Sequence, residues 1–261
     1  MMKHYPEQTA VHIALVGAGP GPLELLTLRA LRRIEAAEVV VYDRLVGAEI
    51  LAIIPVGAAR FDVGKRCGEP SPSQQEINAL LLALARTGKR VVRLKGGDPL
   101  IFGRGGEEAL YLAHHGFRAE LVPGITAALG CAASTTIPLT HRGLARSVTL
   151  VTGHLQGEES FNGWRTLVGE GQTLVCYMGL EQAGKIEAGL LGAGADGALP
   201  VALIVAGCSE HERVIRCRLG DLARAAEALR GATPVLIILG EVVALRDELD
   251  QLLTGLESRV A

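Results

Sequence analysis

The sequence predicts an α/β protein of two domains, each a sheet flanked by helices. Three observations carry this reading. Half of the 261 residues are hydrophobic and only 3% aromatic, and 33 glycines accompany abundant Ala, Leu and Val, the mixture of a chain with many tight turns. Short apolar runs alternate with longer apolar-striped segments, the pattern of strands joined by helices. The alternation lapses near Thr140-His141-Arg142-Gly143 and restarts beyond it. A chain of this length sits where one core begins to split, and the boundary is expected after residue 142, giving domains 1–142 and 143–261.

Taken in order, residues 1–10 are polar and His12–Val16 forms the first strand, which feeds Gly17-Ala18-Gly19-Pro20-Gly21. A helix from about Leu23 to Ile34 and a strand Val39–Tyr42 follow, with Asp43 at the strand's end. This fits part of a dinucleotide-binding fingerprint, but Pro22 stands where a third glycine is needed for close helix–strand packing, so the nicotinamide reading is disfavoured. Ile50 to Gln74 has little periodicity and is rich in Gly, Pro and charge. A loop of that length is often functional. Gln75–Arg86 is an apolar-striped helix after a Ser/Pro start, and Val91, Val92 and Leu94 mark a buried strand.

That strand is stopped by Gly96-Gly97-Asp98-Pro99, where doubly wound sheets hold ligands, beyond a strand's carboxyl end. A side chain at Gly96 is expected to fill space left there for a ligand. The next helix runs from about Arg104 to His115 and carries Gly105 and Gly106 in its first turns, each costing roughly 0.8–1 kcal/mol against alanine. Arg104 is a cation at the helix end that prefers anions. Its simplest role is an i,i+3 surface pair with Glu107. Two unfavourable glycines and a misplaced cation beside a glycine-rich strand end point instead to function. Ala119–Val122 is a strand, and Pro123-Gly124-Ile125-Thr126 opens a small-residue helix through Ala133, whose N–H groups are placed to face a ligand.

In the second half Ser147–Val151, Thr173–Tyr177, Val201–Val205, Val214–Arg218 and Val235–Leu239 read as strands of mixed direction. Helices are expected near Gln182–Leu191, Leu222–Leu229 and Arg246–Leu256. The formal net charge is −2 with no basic stripe, which leaves no electrostatic footprint for nucleic acid. Five cysteines without C-x-x-C spacing suggest reduced thiols and no metal site. The run Val11–Val16 is too short for a signal-peptide core and no apolar stretch approaches a membrane span of about 20 residues. A cytoplasmic protein is expected.

The run R-L-K-G-G-D-P-L-I-F-G-R-G-G-E-E at 93–108 occurs with V-G-A-G-P-G at 16–21, V-Y-D-R-L-V at 41–46 and V-P-G-I-T-A-A at 122–128. I-P-L-T-H-R, V-T-G-H and A-G-C-S-E follow in order. Together these resemble the uroporphyrinogen-III C-methyltransferases of the tetrapyrrole methylase family. The resemblance implies that family's two-domain fold, with the active site in the cleft between domains. It implies methylation of uroporphyrinogen III at carbons 2 and 7, through precorrin-1 to precorrin-2, with S-adenosyl-L-methionine as donor and S-adenosyl-L-homocysteine as product. Pro20, Gly96, Gly97, Asp98, Ile101, Thr126, Ala127, Met178 and Gly207 match the family's cofactor site. Asp43 corresponds to its proton acceptor and Lys65 to its proton donor, although a base role for Arg104 is also conceivable.

The substrate is a carboxylate-rich macrocycle, so scattered guanidinium groups suit it. Arg104 and Arg142 are the candidate contacts, with Glu107 orienting them or sharing in proton transfer. A homodimer is expected, as is methylation alone, since the dehydrogenase/chelatase region fused in some relatives is not seen. The chain departs from the family's pattern at Pro22, Pro70 and Thr135-Thr136. A methylase of a later precorrin, or a tetrapyrrole-binding protein of the same fold without turnover, are the alternatives.

Overall fold

The computed structural model describes residues 12–64, 72–153, 163–167 and 169–260, with side chains beyond residue 252 and that of Arg165 excepted. Lys65, Cys67 and Pro70 lie outside the described residues. The chain divides into two compact units, the first ending at Ala127 and the second beginning at Ala128.

The first unit runs β1 (Ile13–Gly17), α1 (Leu28–Glu35), β2 (Val39–Tyr42), α2 (Ala48–Ala52), β3 (Ala59–Asp62), α3 (Gln74–Ala85), β4 (Val91–Lys95), α4 (Gly105–His114) and β5 (Glu120–Val122). Its sheet has the order β3-β2-β4-β1-β5, and every pairing is parallel. Parallel sheets are covered on both faces, and two apolar clusters do this with the period of two expected of strands. Ala14, Val16, Val40, Val92 and Leu94 pack on one face with Ile34 and Ile50. Ile13, Val39, Val41 and Val91 pack on the other with Leu81, Leu82 and Leu112.

Two local expectations need correction. The helix expected over Leu23–Ile34 is a 3-10 turn, Leu23–Leu25, followed by a break and then α1. Thr27 causes the break by capping α1, its Oγ1 accepting from the Ala30 N–H at 3.1 Å, an alternative to continuing the helix. The aperiodic stretch after Ile50 contains the end of α2 and all of β3. All four β3 residues are exposed, so the edge strand is held by its backbone register with β2 and leaves no apolar pattern to read.

Helix α5 (Ala127–Ser134) begins at the division between the units. The second unit continues with β6 (Ser147–Thr152), α6 (Trp164–Leu167), β7 (Gln172–Tyr177), α7 (Ala183–Gly192), β8 (Pro200–Val205), β9 (Arg213–Arg218), α8 (Leu222–Glu227), β10 (Val235–Leu239) and α9 (Ala244–Val260). Its sheet has the order β6-β7-β10-β8-β9. β6 and β7 are parallel and the remaining pairings antiparallel, the mixed direction read from the sequence. The division falls at 127/128 rather than after 142, because Ala128, Cys131 and Ile137 pack with Ala202, Ile204, Leu236 and Ile238. Among the described residues no helix is long and apolar enough to cross a membrane.

Candidate active site

Three glycines bring the strand ends of the first unit into backbone contact. A Cβ on Gly17, at the end of β1, would lie 2.5 Å from the Gly124 nitrogen and 2.7 Å from the Gly97 carbonyl oxygen. A Cβ on Gly124, after β5, would overlap that same carbonyl. Gly97, after β4, has a φ of 65°, a conformation glycine adopts without cost. Gly19 and Gly97 exchange backbone hydrogen bonds at 3.1 and 2.7 Å, which sews the turn holding Pro20 to the turn after β4. Asp98 fastens the third segment, its Oδ2 accepting from the Gly124 N–H at 3.0 Å and its Oδ1 from the Leu100 N–H at 2.8 Å. Pro20, Gly96, Gly97, Asp98, Ile101 and Thr126 therefore gather at the carboxyl ends of β1, β4 and β5, the ligand-binding edge of a doubly wound sheet.

The segment Asp43–Gly47 after β2 packs on this cradle. A Cβ on Gly47 would meet the Gly21 carbonyl oxygen at 2.6 Å, and one on Gly96 would meet Leu45 Cβ at 2.7 Å. The space beside Gly96 is thus already filled by Leu45, which corrects the expectation that a side chain there would only occupy ligand space. It would also push the segment that carries Asp43. The Asp43 carboxylate accepts from the Leu45 N–H through Oδ1 at 3.3 Å and from Arg93 Nη2 through Oδ2 at 3.4 Å.

Arg104 and Glu107 form the i,i+3 pair, at 2.6 Å, both exposed. The guanidinium's hydrogen bond holds the Glu107 carboxyl below its ordinary range. Arg104 is nonetheless unusual, since it caps α4 in the left-handed region with φ 58°. Of the two glycines behind it, Gly105 is required, because a Cβ would lie 2.5 Å from the Pro99 carbonyl oxygen, whereas Gly106 meets nothing within 4 Å.

In the second unit β7 and β8 flank β10, each antiparallel to it, so they run the same way and end at the same edge. Met178 follows β7 with φ 52° and is 55% exposed, unlike a residue that fills a core. Gly207 follows β8 between Ala206 (φ 50°) and Cys208 (φ 63°), and a Cβ on it would overlap Cys131 Sγ. Burial pushes the Cys131 and Cys176 thiols up to about 12, which removes them as nucleophiles near neutral pH. Arg142 is exposed in a turn closed by two His141–Ala145 backbone bonds. Six described non-glycine residues have positive φ, and five of them (Phe102, Arg104, Met178, Ala206 and Cys208) follow β4, β7 or β8. Strain of this kind gathers at functional loops.

The sequence reading missed a buried group beneath Asp43. Glu108, fully buried, accepts through Oε1 from Arg93 Nε at 3.3 Å, Lys95 Nζ at 3.0 Å and Gln74 Nε2 at 3.3 Å. Arg93 also donates from Nη1 to the Leu94 carbonyl at 3.1 Å. The only signal available in sequence was the spacing, since Arg93 and Lys95 are two apart on a strand and so share a face.

Residues 12–223 match the family model of the tetrapyrrole (corrin/porphyrin) methylases. The siroheme synthase of Salmonella typhi is 52% identical over 91% of this chain and 51% of its own length. Siroheme synthase 2 of Serratia proteamaculans is 50% identical over 96% of this chain and 53% of its own. The chain thus spans about half the length of the curated relatives it matches. Among solved structures, uroporphyrin-III C-methyltransferase of Thermus thermophilus, complexed with S-adenosylhomocysteine, has a TM-score of 0.77 and 42% identity, covering 90% of this chain and 99% of that one. A cobalt precorrin-4 methyltransferase has a TM-score of 0.75 at 25% identity, covering 88% and 95%. The chain belongs to the tetrapyrrole (corrin/porphyrin) methylases.

Proposed function

We propose that this chain is an S-adenosylmethionine-dependent C-methyltransferase that methylates uroporphyrinogen III at carbons 2 and 7, giving precorrin-2 through precorrin-1. The observation that carries the reading is the glycine cradle at parallel strand ends with an arginine-held carboxylate, Asp43, packed on it. The likeness to the Thermus thermophilus enzyme, over nearly the whole of that protein, supports it.

S-adenosylmethionine, when bound, supplies an electrophilic methyl group. Pro20, Gly96, Gly97, Asp98, Ile101, Thr126 and Ala127 are assigned to hold it, with Met178 and Gly207 of the second unit. The cradle fits such a group, since its glycines leave backbone bare of side chains. Each Asp98 oxygen also keeps a lone pair for an ammonium or ribose hydroxyl. Asp43 takes the proton released after carbon methylation. A carboxylate suffices for this step, because the proton on a cationic, carbon-methylated macrocycle is acidic. Lys65 is assigned the returning proton by the resemblance alone.

Arg104 and Arg142 are assigned to the substrate's carboxylates, which a guanidinium can hold bidentately. Losing a charge-assisted hydrogen bond costs about 1.5–3 kcal/mol. Arg104→Ala and Arg142→Ala are therefore expected to weaken substrate binding at least about tenfold while donor affinity, read by calorimetry, barely moves. Equal losses of both ligands would show the arginines to be misplaced. We also propose a homodimer, in keeping with the family resemblance. Sedimentation should give twice the chain mass, and a monomer at micromolar concentration would remove the claim.

The proposal as a whole is tested by incubating the protein with uroporphyrinogen III and methyl-labelled donor and weighing the product. A gain of two methyl groups is expected. Donor binding with no labelled product would favour a tetrapyrrole-binding protein, and activity restricted to a later precorrin would favour the sibling reaction.

A further inference from the structure

Strand β4 turns two cations inward, Arg93 and Lys95, which are 3% and 4% exposed. Glu108 of α4 and Gln74 of α3 meet them from the covering helices, and Asp43 meets Arg93 from the end of β2. Two cations thus face two carboxylates. Of the four, only Asp43 has a side chain open enough, at 27%, for a ligand to reach.

Stability is a poor reason for such a group. Buried ion pairs are often replaced by apolar residues of similar volume without loss. Burial and the neighbouring Arg93 push Lys95 below the usual lysine range, against the pull of Glu108. What the arrangement does achieve is orientation. The Arg93 guanidinium is engaged on three sides, by Glu108 at Nε, the Leu94 carbonyl at Nη1 and Asp43 at Nη2. A planar fork can bridge three acceptors in this way and an ammonium on a flexible stem cannot. Glu108 fixes the guanidinium at the nitrogen next to its stem, so it sets where Nη2 points.

We infer that Glu108 is a positioning residue for proton transfer: it holds Arg93 in the orientation that fixes the Asp43 carboxylate toward the substrate. The inference rests on the proposal that Asp43 is the proton acceptor. Glu108→Gln keeps the shape and an acceptor oxygen but removes the charge. Turnover should fall about tenfold to a hundredfold, the scale of a small misplacement of a reacting group, while donor affinity stays near wild type and the thermal midpoint drops, since two buried cations lose their shared carboxylate. In an Asp43→Asn background the same change should cost less than about twofold, because residues acting as one unit are not additive. Arg93→Lys keeps charge and burial but loses the bridge, and should copy Glu108→Gln.

The outcomes separate cleanly. If Asp43→Asn turns over like wild type, the proton-acceptor reading falls and this inference with it. If Asp43→Asn is slow but Glu108→Gln and Arg93→Lys are at wild-type rate, only this inference is overturned. An undiminished loss from Glu108→Gln in the Asp43→Asn background also overturns it, since that is the mark of a general structural defect. Failure of both Glu108→Gln and Arg93→Lys to fold would place the group in the structural core and overturn it likewise.

Discussion

Asp43→Asn is expected to lower turnover by about 10²–10⁴, the range of general acid–base groups, and to leave S-adenosylmethionine binding nearly intact. The carboxylate sits where two donors converge, the Leu45 N–H and Arg93 Nη2. Asparagine keeps the size but offers only one acceptor oxygen, so its amide NH₂ must confront one of those donors. The change removes a base and disturbs its setting at once. The hydrogen bonds of the Asp43 carboxylate run to Leu45 N–H and Arg93 Nη2, neither of which is among the residues assigned to the donor. Single-turnover methyl transfer and calorimetry read the two effects separately. Turnover within tenfold of wild type, collapse of donor affinity, or heat from NAD would overturn the assignment, the last because a dinucleotide site would use Asp43 for ribose hydroxyls.

Gly124→Ala should be the most damaging small substitution in the cradle. The added Cβ would overlap the Gly97 carbonyl oxygen and lie 2.8 Å from Gly17 Cα. These are backbone atoms, so no rotamer change relieves the contact. Overpacking costs typically 1–3 kcal/mol, and a thermal midpoint lower by about 3–10 °C is expected for a chain of this size, with donor affinity reduced at least about tenfold. Gly106→Ala is the control. It adds a methyl that meets nothing within 4 Å inside α4, and should raise stability by roughly 0.5–1 kcal/mol. A scanning calorimeter compares the pair directly. Equal midpoints for the two variants would show that the three strand ends are not in the contact described.

The strands and helices that bury an apolar face were legible, and the five strands of the second unit begin within a residue of where they were read. β3 was not, because A-R-F-D is exposed along its whole length and a backbone-held edge strand imposes no periodicity. The break before α1 turned on Thr27 choosing to cap rather than continue, a decision that sequence leaves open. Gly105 and Gly106 look alike in the chain, yet one is demanded by Pro99 and the other by nothing nearby. Arg93, Lys95 and Glu108 were hidden for the opposite reason. Charges in a strand or in the first turn of a helix read as surface, and only the packing of α3 and α4 on β4 reveals that these three are interior.

The contact among Gly17, Gly97 and Gly124 has a consequence for how such a protein can change. Where three backbones touch, the genetic code has no alternative residue to offer, so that region is closed to gradual adjustment. A chain built this way can diversify only through the longer side chains displayed around it. Arg104, on a strained helix cap outside the contact, is free to vary without disturbing it. New substrates would then be acquired at the rim, while the centre is inherited whole.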